Sequence, residues 1–118
     1  MIVGHVTEDG QPIIQLTVAG QSWVALVDSG FNGDLELPNA LRGQLNARFR
    51  AREPWLLDSG QSVEEDIYSV DFPFDDRMVF AEASFVAGDT ILVGTGLLTS
   101  YRLTIDFVAR TVLLERAA

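Results

Sequence analysis

The sequence predicts a mostly β domain, and three observations carry that expectation. Apolar residues recur with a period of two: Ile14, Leu16 and Val18 alternate with Gln15 and Thr17, and Leu35 and Leu37 alternate with Asp34 and Glu36. That is the pattern of half-buried strands. Short apolar runs such as Ala25-Leu26-Val27 and Ile91-Leu92-Val93 stop at glycine-containing turns, as buried strands do. Turn formers also return at short intervals, which leaves few stretches long enough for a helix. The 118 residues suffice for one modest core, so the expectation is a single domain over residues 1–118.

Residues 2–5 form a short apolar stub, expected as an edge or interface strand, and Glu8-Asp9-Gly10-Gln11-Pro12 is a turn. The alternating strand at residues 14–18 reverses at Ala19-Gly20-Gln21 and returns as residues 23–27. After a glycine-rich loop comes the strand with Leu35 and Leu37, and then one or two helical turns over residues 38–45, with Pro38 at an early position where its missing N–H costs least. Residues 49–57 and 62–72 are expected to pair as a long, polar hairpin around the turn Asp58-Ser59-Gly60-Gln61. Pro73-Phe74-Asp75-Asp76 turns the chain into a strand at 78–86, and Ala87-Gly88-Asp89 turns it again into 91–93. A short helix at 97–100 and a closing hairpin, 101–106 with 111–115, finish the domain.

Composition narrows the chemistry. The formal net charge is −9 and all eight basic residues are arginines, a balance that argues against nucleic acid or an anionic membrane as partner. The absence of cysteine excludes disulfides, thiolate metal sites and a cysteine nucleophile. No apolar run approaches the roughly 20 residues of a membrane span, and the first residues lack a basic, apolar leader, so a cytoplasmic protein is expected.

The stretch that organises the chain is Ala25-Leu26-Val27-Asp28-Ser29-Gly30-Phe31-Asn32-Gly33. An apolar strand delivers an acid to a point where Ser-Gly and a second glycine let the backbone turn sharply. A carboxylate placed there is costly unless it is hydrogen-bonded, paired or used. The chain also echoes itself. Val18-Ala19-Gly20 precedes Ala25-Leu26-Val27-Asp28-Ser29-Gly30-Phe31, and Val86-Ala87-Gly88 precedes Ile91-Leu92-Val93-Gly94-Thr95-Gly96-Leu97. Such a repeat suggests two copies of one supersecondary unit about a pseudo-dyad, one keeping an acid (Asp28) and the other only the turn (Gly94).

On these residues, together with Leu35-Glu36-Leu37-Pro38 and the closing Tyr101-Arg102-Leu103-Thr104-Ile105-Asp106-Phe107, the sequence resembles the retropepsin-like aspartic proteases, in particular their small single-domain bacterial type. It departs from that pattern at Ser29, where threonine is usual, and at Thr95-Gly96, where a larger residue and then Asp often follow. The resemblance implies a closed acid-protease barrel with one or two short helices and one lobe per chain. It implies an aspartic endopeptidase with Asp28 as the catalytic acid, Ser29 bracing the two loops across a dyad, and Gly30 holding backbone close to the carboxylates. Leu57, Asp58, Ser59 and Gly60 would form the tip of a flap over an extended peptide. Hydrolysis by carboxylates needs two acids sharing a proton, so one acid per chain implies a homodimer acting on a peptide or protein substrate, with no metal and no cofactor. The alternative is a catalytically inactive dimeric β module that binds an extended peptide or partner protein.

Other constellations have simpler readings. Asp58-Ser59-Gly60 repeats the acid tripeptide too close in sequence to Asp28 for a second lobe, and reads as a turn. Gly94-Thr95-Gly96 lacks the third glycine and the βαβ unit of a dinucleotide site. Glu64-Glu65-Asp66 and Asp75-Asp76 lack calcium-loop spacing. The single His5 reads as a surface or interface residue, and Trp23 and Trp55 as core or interface aromatics.

Overall fold

The computed structural model describes residues 1–117; the last residue of the expected domain lies outside them. Ten strands follow in chain order: β1 (Ile2–Val6), β2 (Pro12–Val18), β3 (Gln21–Val27), β4 (Leu35–Pro38), β5 (Arg48–Leu56), β6 (Ser62–Phe74), β7 (Arg77–Val86), β8 (Ile91–Val93), β9 (Tyr101–Asp106) and β10 (Thr111–Arg116). Among the described residues a single 3-10 helix, Asn39–Gln44, follows Pro38. Alternation fixes which face each strand buries. Ile14, Leu16 and Val18 point inward from β2 while Gln15 and Thr17 are exposed, and Leu35 and Leu37 of β4 are buried beside half-buried Glu36. The inward residues meet in one cluster with Phe72 and Phe74 of β6, Val93 of β8 and Leu114 of β10, each large side chain contributing about 1.5–3 kcal/mol when fully buried.

The strands lie in one sheet in the order β5-β6-β7-β4-β8-β3-β2-β1-β10-β9. The mostly β expectation holds, but the sheet is open rather than a closed barrel, because β5 and β9 are separate ends. Three further expectations are corrected. β1 is an interior strand, paired with β10 through Ile2↔Leu114 and with β2 through His5↔Ile13. Residues 97–100 form consecutive turns, not a helix, held by i→i+3 bonds such as Leu97 N–H to Gly94 O (3.2 Å) and Leu98 N–H to Thr95 O (3.1 Å). The turn expected over residues 73–76 is also shorter: Pro73 and Phe74 stay in β6, and only Asp75 and Asp76, both at positive φ, reverse the chain.

The internal echo is physical. β3 and β8 pair in parallel with Ala25↔Ile91, Leu26↔Leu92 and Val27↔Val93, so the residues that match in sequence lie side by side. The preceding Val-Ala-Gly segments are not equivalent. The first closes the β2–β3 hairpin, with Ala19 and Gly20 both at positive φ, whereas the second leads from β7 to β8 across an intervening β4. Among the described residues no helix is long and apolar enough to cross a membrane.

Candidate active site

β3 ends at Val27, and Asp28 leaves the sheet with its N–H donating to Val93 O at 2.9 Å. The loop then folds back on itself. Phe31 N–H donates to Asp28 O at 3.2 Å, and Gly30 N–H donates to the Asp28 carboxylate Oδ1 at 2.9 Å. The sequence permits this because Gly30 brings its amide to the carboxylate with no side chain in the way; a Cβ there would stand 3.3 Å from Oδ1. Asp28 is half-buried, while Ser29 and Gly30 are exposed at the surface of the loop.

Beneath the loop lies the second copy of the repeat. Gly94 N–H donates to Asp34 O (3.0 Å), Thr95 N–H to Phe31 O (2.8 Å) and Gly96 N–H to Gly33 O (3.1 Å). The Phe31 ring fills the space between two glycines. A Cβ on Gly33 would meet its Cζ at 2.7 Å, and a Cβ on Gly94 would meet its Cδ2 at 2.6 Å. Asp34 extends the anchoring toward β7, its Oδ2 accepting from Glu82 N–H at 2.9 Å.

A cavity of about 340 Å³ opens at Asp28, with Phe31, Gly33, Glu36, Trp55 and Leu92 in its walls. A smaller one of about 120 Å³ shares Phe31, Gly33, Glu36 and Trp55 and adds the carboxylates of Glu53, Glu65 and Glu82. Burial pushes the Glu36 carboxyl up from the usual range, and the nearby Glu65 and Asp28 charges push it the same way. A separate groove of about 350 Å³ joins Asp28 and Ser29 to Leu103, Ile105 and Phe107. Among the described residues no group of three or more His, Asp or Glu side chains is arranged to hold a metal ion.

The structure brings Asp28, Ser29 and Gly30 together in one loop. Leu57, Asp58, Ser59 and Gly60 lie at the turn joining β5 to β6, closed by Leu57 N–H to Gln61 O (2.8 Å) and Gly60 N–H to Leu57 O (2.9 Å), with Gly60 at φ +84°. Below that tip it is Trp55 of β5 that reaches the Asp28 cavity. Trp55 is half exposed and lines this cavity, so of the two sequence readings, core or interface aromatic, the core one does not hold. Glu36 was also not singled out as a site residue. Both carry a local signal: Glu36 is an outward position of an alternating strand next to the acid loop, and Trp55 shares a face with Glu53 two residues earlier.

No family model matches the chain, and no curated protein matches it. Solved structures do. A retropepsin-like aspartic protease from Rickettsia conorii superposes with a TM-score of 0.68 at 17% identity, over 96% of this chain and 88% of that one. The foamy viral protease–reverse transcriptase, in its structure with an RNA/DNA hybrid, gives 0.61 at 14% identity over 80% of this chain and 13% of that much longer one. At such identities the likeness is one of fold. The chain has the retropepsin-like fold, as a single lobe with an acid at the end of β3 and a glycine at the matching end of β8.

Proposed function

We propose that the chain is an aspartic endopeptidase of the cytoplasm, a homodimer that hydrolyses peptide bonds with a water activated between the Asp28 carboxylates of two copies. The observation that carries this reading is the β3–β8 pair, which supports one acid loop per lobe on a retropepsin-like fold. Two carboxylates brought to about 3 Å share one proton, because like charges that close do not both ionise. The ionised Asp28 takes a proton from water as its oxygen attacks the scissile carbonyl carbon. The protonated Asp28 of the second copy donates to the carbonyl oxygen, giving a tetrahedral diol. Collapse breaks the C–N bond as a proton passes to the leaving nitrogen, and no metal or cofactor enters. The Gly30 amide at Oδ1 orients the carboxylate. Ser29, exposed beside it, would bond across the dyad, and the Leu57–Gly60 turn would close over an extended peptide.

The test is cleavage of a diverse peptide library across acidic to neutral pH by wild type and Asp28→Asn, with sizing of both. Asp28→Asn is expected to lose about a thousandfold or more in activity, as removal of an essential member of a catalytic unit does, while remaining folded and dimeric. A well-folded wild-type dimer that cleaves nothing would overturn the enzyme reading in favour of a peptide-binding module.

A further inference from the structure

The β5–β6 hairpin has two faces, and its register decides what each carries. Residues directly opposite in a ladder share a face. Glu53 and Trp55 of β5 therefore stand with Glu65 and Val63 of β6, while Arg52 and Pro54 stand with Asp66 and Glu64 on the reverse. That reverse, outer face is neutralised within the hairpin: Arg52 Nε donates to Asp66 Oδ1 at 2.9 Å, and its Nη1 lies 3.8 Å from Glu64 Oε2. The inner face is not. Glu53 and Glu65 are like charges directly opposed across the ladder, an arrangement that weakens a hairpin. Among the described residues neither takes part in an ion pair.

The inner face looks toward the Asp28 loop. In the cavity of about 120 Å³, Glu53 and Glu65 meet Glu36 of β4, with Phe31, Trp55 and Ile67 in the same walls. Glu36 and Trp55 also line the larger cavity at Asp28, so the two spaces adjoin. The arginines around the hairpin are engaged elsewhere. Arg50 pairs with Glu82 and Arg48 with Asp71. Arg42 Nη1 donates to Tyr68 Oη at 3.2 Å, and its guanidinium lies over the rings of Tyr68 and Phe85. Three carboxylates thus share one space beside Asp28 without a cation of the chain's own, and the Glu36 carboxyl is pushed up by its burial first and by Glu65 and Asp28 after it.

We propose that the inner face of the β5–β6 hairpin takes a basic side chain of the bound peptide, arginine or lysine, with Glu36, Glu53 and Glu65 as the residues that determine this specificity. The inference deepens the endopeptidase reading above and rests on it for the peptide. The lining suits a long cationic side chain along its whole length. Its apolar stem packs on Phe31 and Ile67, its cation reaches the face of Trp55, which is half exposed, as cations do on aromatic rings, and the carboxylates take up the charge. A neutral or acidic side chain would shut the same carboxylates away from water with nothing to pair them. Selection therefore works by rejection as well as by attraction. The net charge of −9 draws cationic peptides to the whole surface, whereas this face singles out one position along the peptide.

Binding to Asp28→Asn, which leaves the peptide uncut, tests the inference. The probes are fluorescent alanine–valine decapeptides with one arginine at each position in turn, set against the same peptides with citrulline, a neutral group of nearly the same shape. At one or a few positions arginine is expected to bind about tenfold or more tighter than citrulline, as a hydrogen-bonded charge pair does. That ratio should fall toward one when Glu53→Gln/Glu65→Gln is added. It should persist with Glu64→Gln, which removes a charge from the outer face. Equal binding of arginine and citrulline peptides overturns the inference, as does a ratio that is the same at every position or that survives the double substitution. Cleavage of the same peptides by the chain with Asp28 intact separates the two readings. Asp28-dependent cleavage without arginine preference would remove the basic specificity and leave the protease standing. Position-specific arginine binding without cleavage would remove the protease and leave the assignment of this face.

Discussion

Replacing Gly94 by alanine tests the packing beneath the acid loop with the smallest possible change. A Cβ at Gly94 would stand 2.1 Å from Gly33 O and 2.7 Å from Phe31 O, both backbone atoms, as well as 2.6 Å from Phe31 Cδ2. Relief to ordinary contact demands a backbone shift of more than about 1 Å, and overpacking of that kind costs about 1–3 kcal/mol. The displaced segment also carries the three hydrogen bonds from the Gly94, Thr95 and Gly96 amides to Asp34, Phe31 and Gly33, each worth about 1 kcal/mol. The sum is about 4–6 kcal/mol, a large share of a total stability of about 5–15 kcal/mol. For a chain of this length that corresponds to about 16–24 °C in Tm. Thermal unfolding followed by circular dichroism, with urea titration alongside, reads the change. Gly43→Ala serves as the control, since a Cβ there meets nothing within 4 Å. A Gly94→Ala protein melting within a degree or two of wild type would refute both the packing and the equivalence of the two loops, and Gly94→Val should be worse still.

Two further substitutions address titrating groups. The Glu36 carboxyl is raised by burial, then by Glu65 and Asp28, so its contribution to stability is complete below the ordinary Glu range of about 4.3 and is lost as pH rises through the folded value. Glu36→Gln is therefore expected to stabilise the fold at neutral pH and to have no effect near pH 4; an equal effect at both, in urea titrations, would contradict the environment described. Tyr101 Oη donates to Asp75 Oδ2 at 2.9 Å, and Asp75 is held below the usual carboxylate range by the N-terminal ammonium first and by this hydroxyl as well. Tyr101→Phe should cost about 1–2 kcal/mol at neutral pH, a cost that shrinks as acid protonates Asp75, and a loss of the same size at every pH would show that it does not come from the bond to the Asp75 carboxylate.

Strands were legible because their information is local. Alternation in β2 and β4, and apolar runs that stop at glycine in β3 and β8, need no partner to be read. The place of β1 was not, since a short strand next to the chain's first residue looks like an edge. Its interior position is marked only by Gly4, where a Cβ would stand 2.0 Å from Ile13 O on β2; glycine inside a strand signals such close backbone approach. Residues 97–100 contain two leucines and suggest a helix, but β9 begins at Tyr101, before an i→i+4 ladder can repay its nucleation. At the site, the Asp28 loop is a local turn and could be read. Glu36 and Trp55 meet there only because the β5–β6 hairpin returns over β4, a non-local fact. The open sheet was hidden for the same reason: closure depends on how the end strands meet, which no single segment specifies.

The second loop also explains why one chain carries a single acid. Gly94 matches Asp28 in the repeat and follows Val93 as Asp28 follows Val27, with the two valines paired across β3 and β8. It is nonetheless buried, under Phe31 and Gly33, where even a methyl group collides with two carbonyl oxygens. A carboxylate at that position would have to displace the loop that Asp28 stands on, and it would face those oxygens unpaired at a cost of several kcal/mol. The lobe thus uses its second turn as a floor, gaining a fixed Asp28 loop and giving up any chance of a second acid from the same chain. On the proposed mechanism the missing carboxylate comes from another copy.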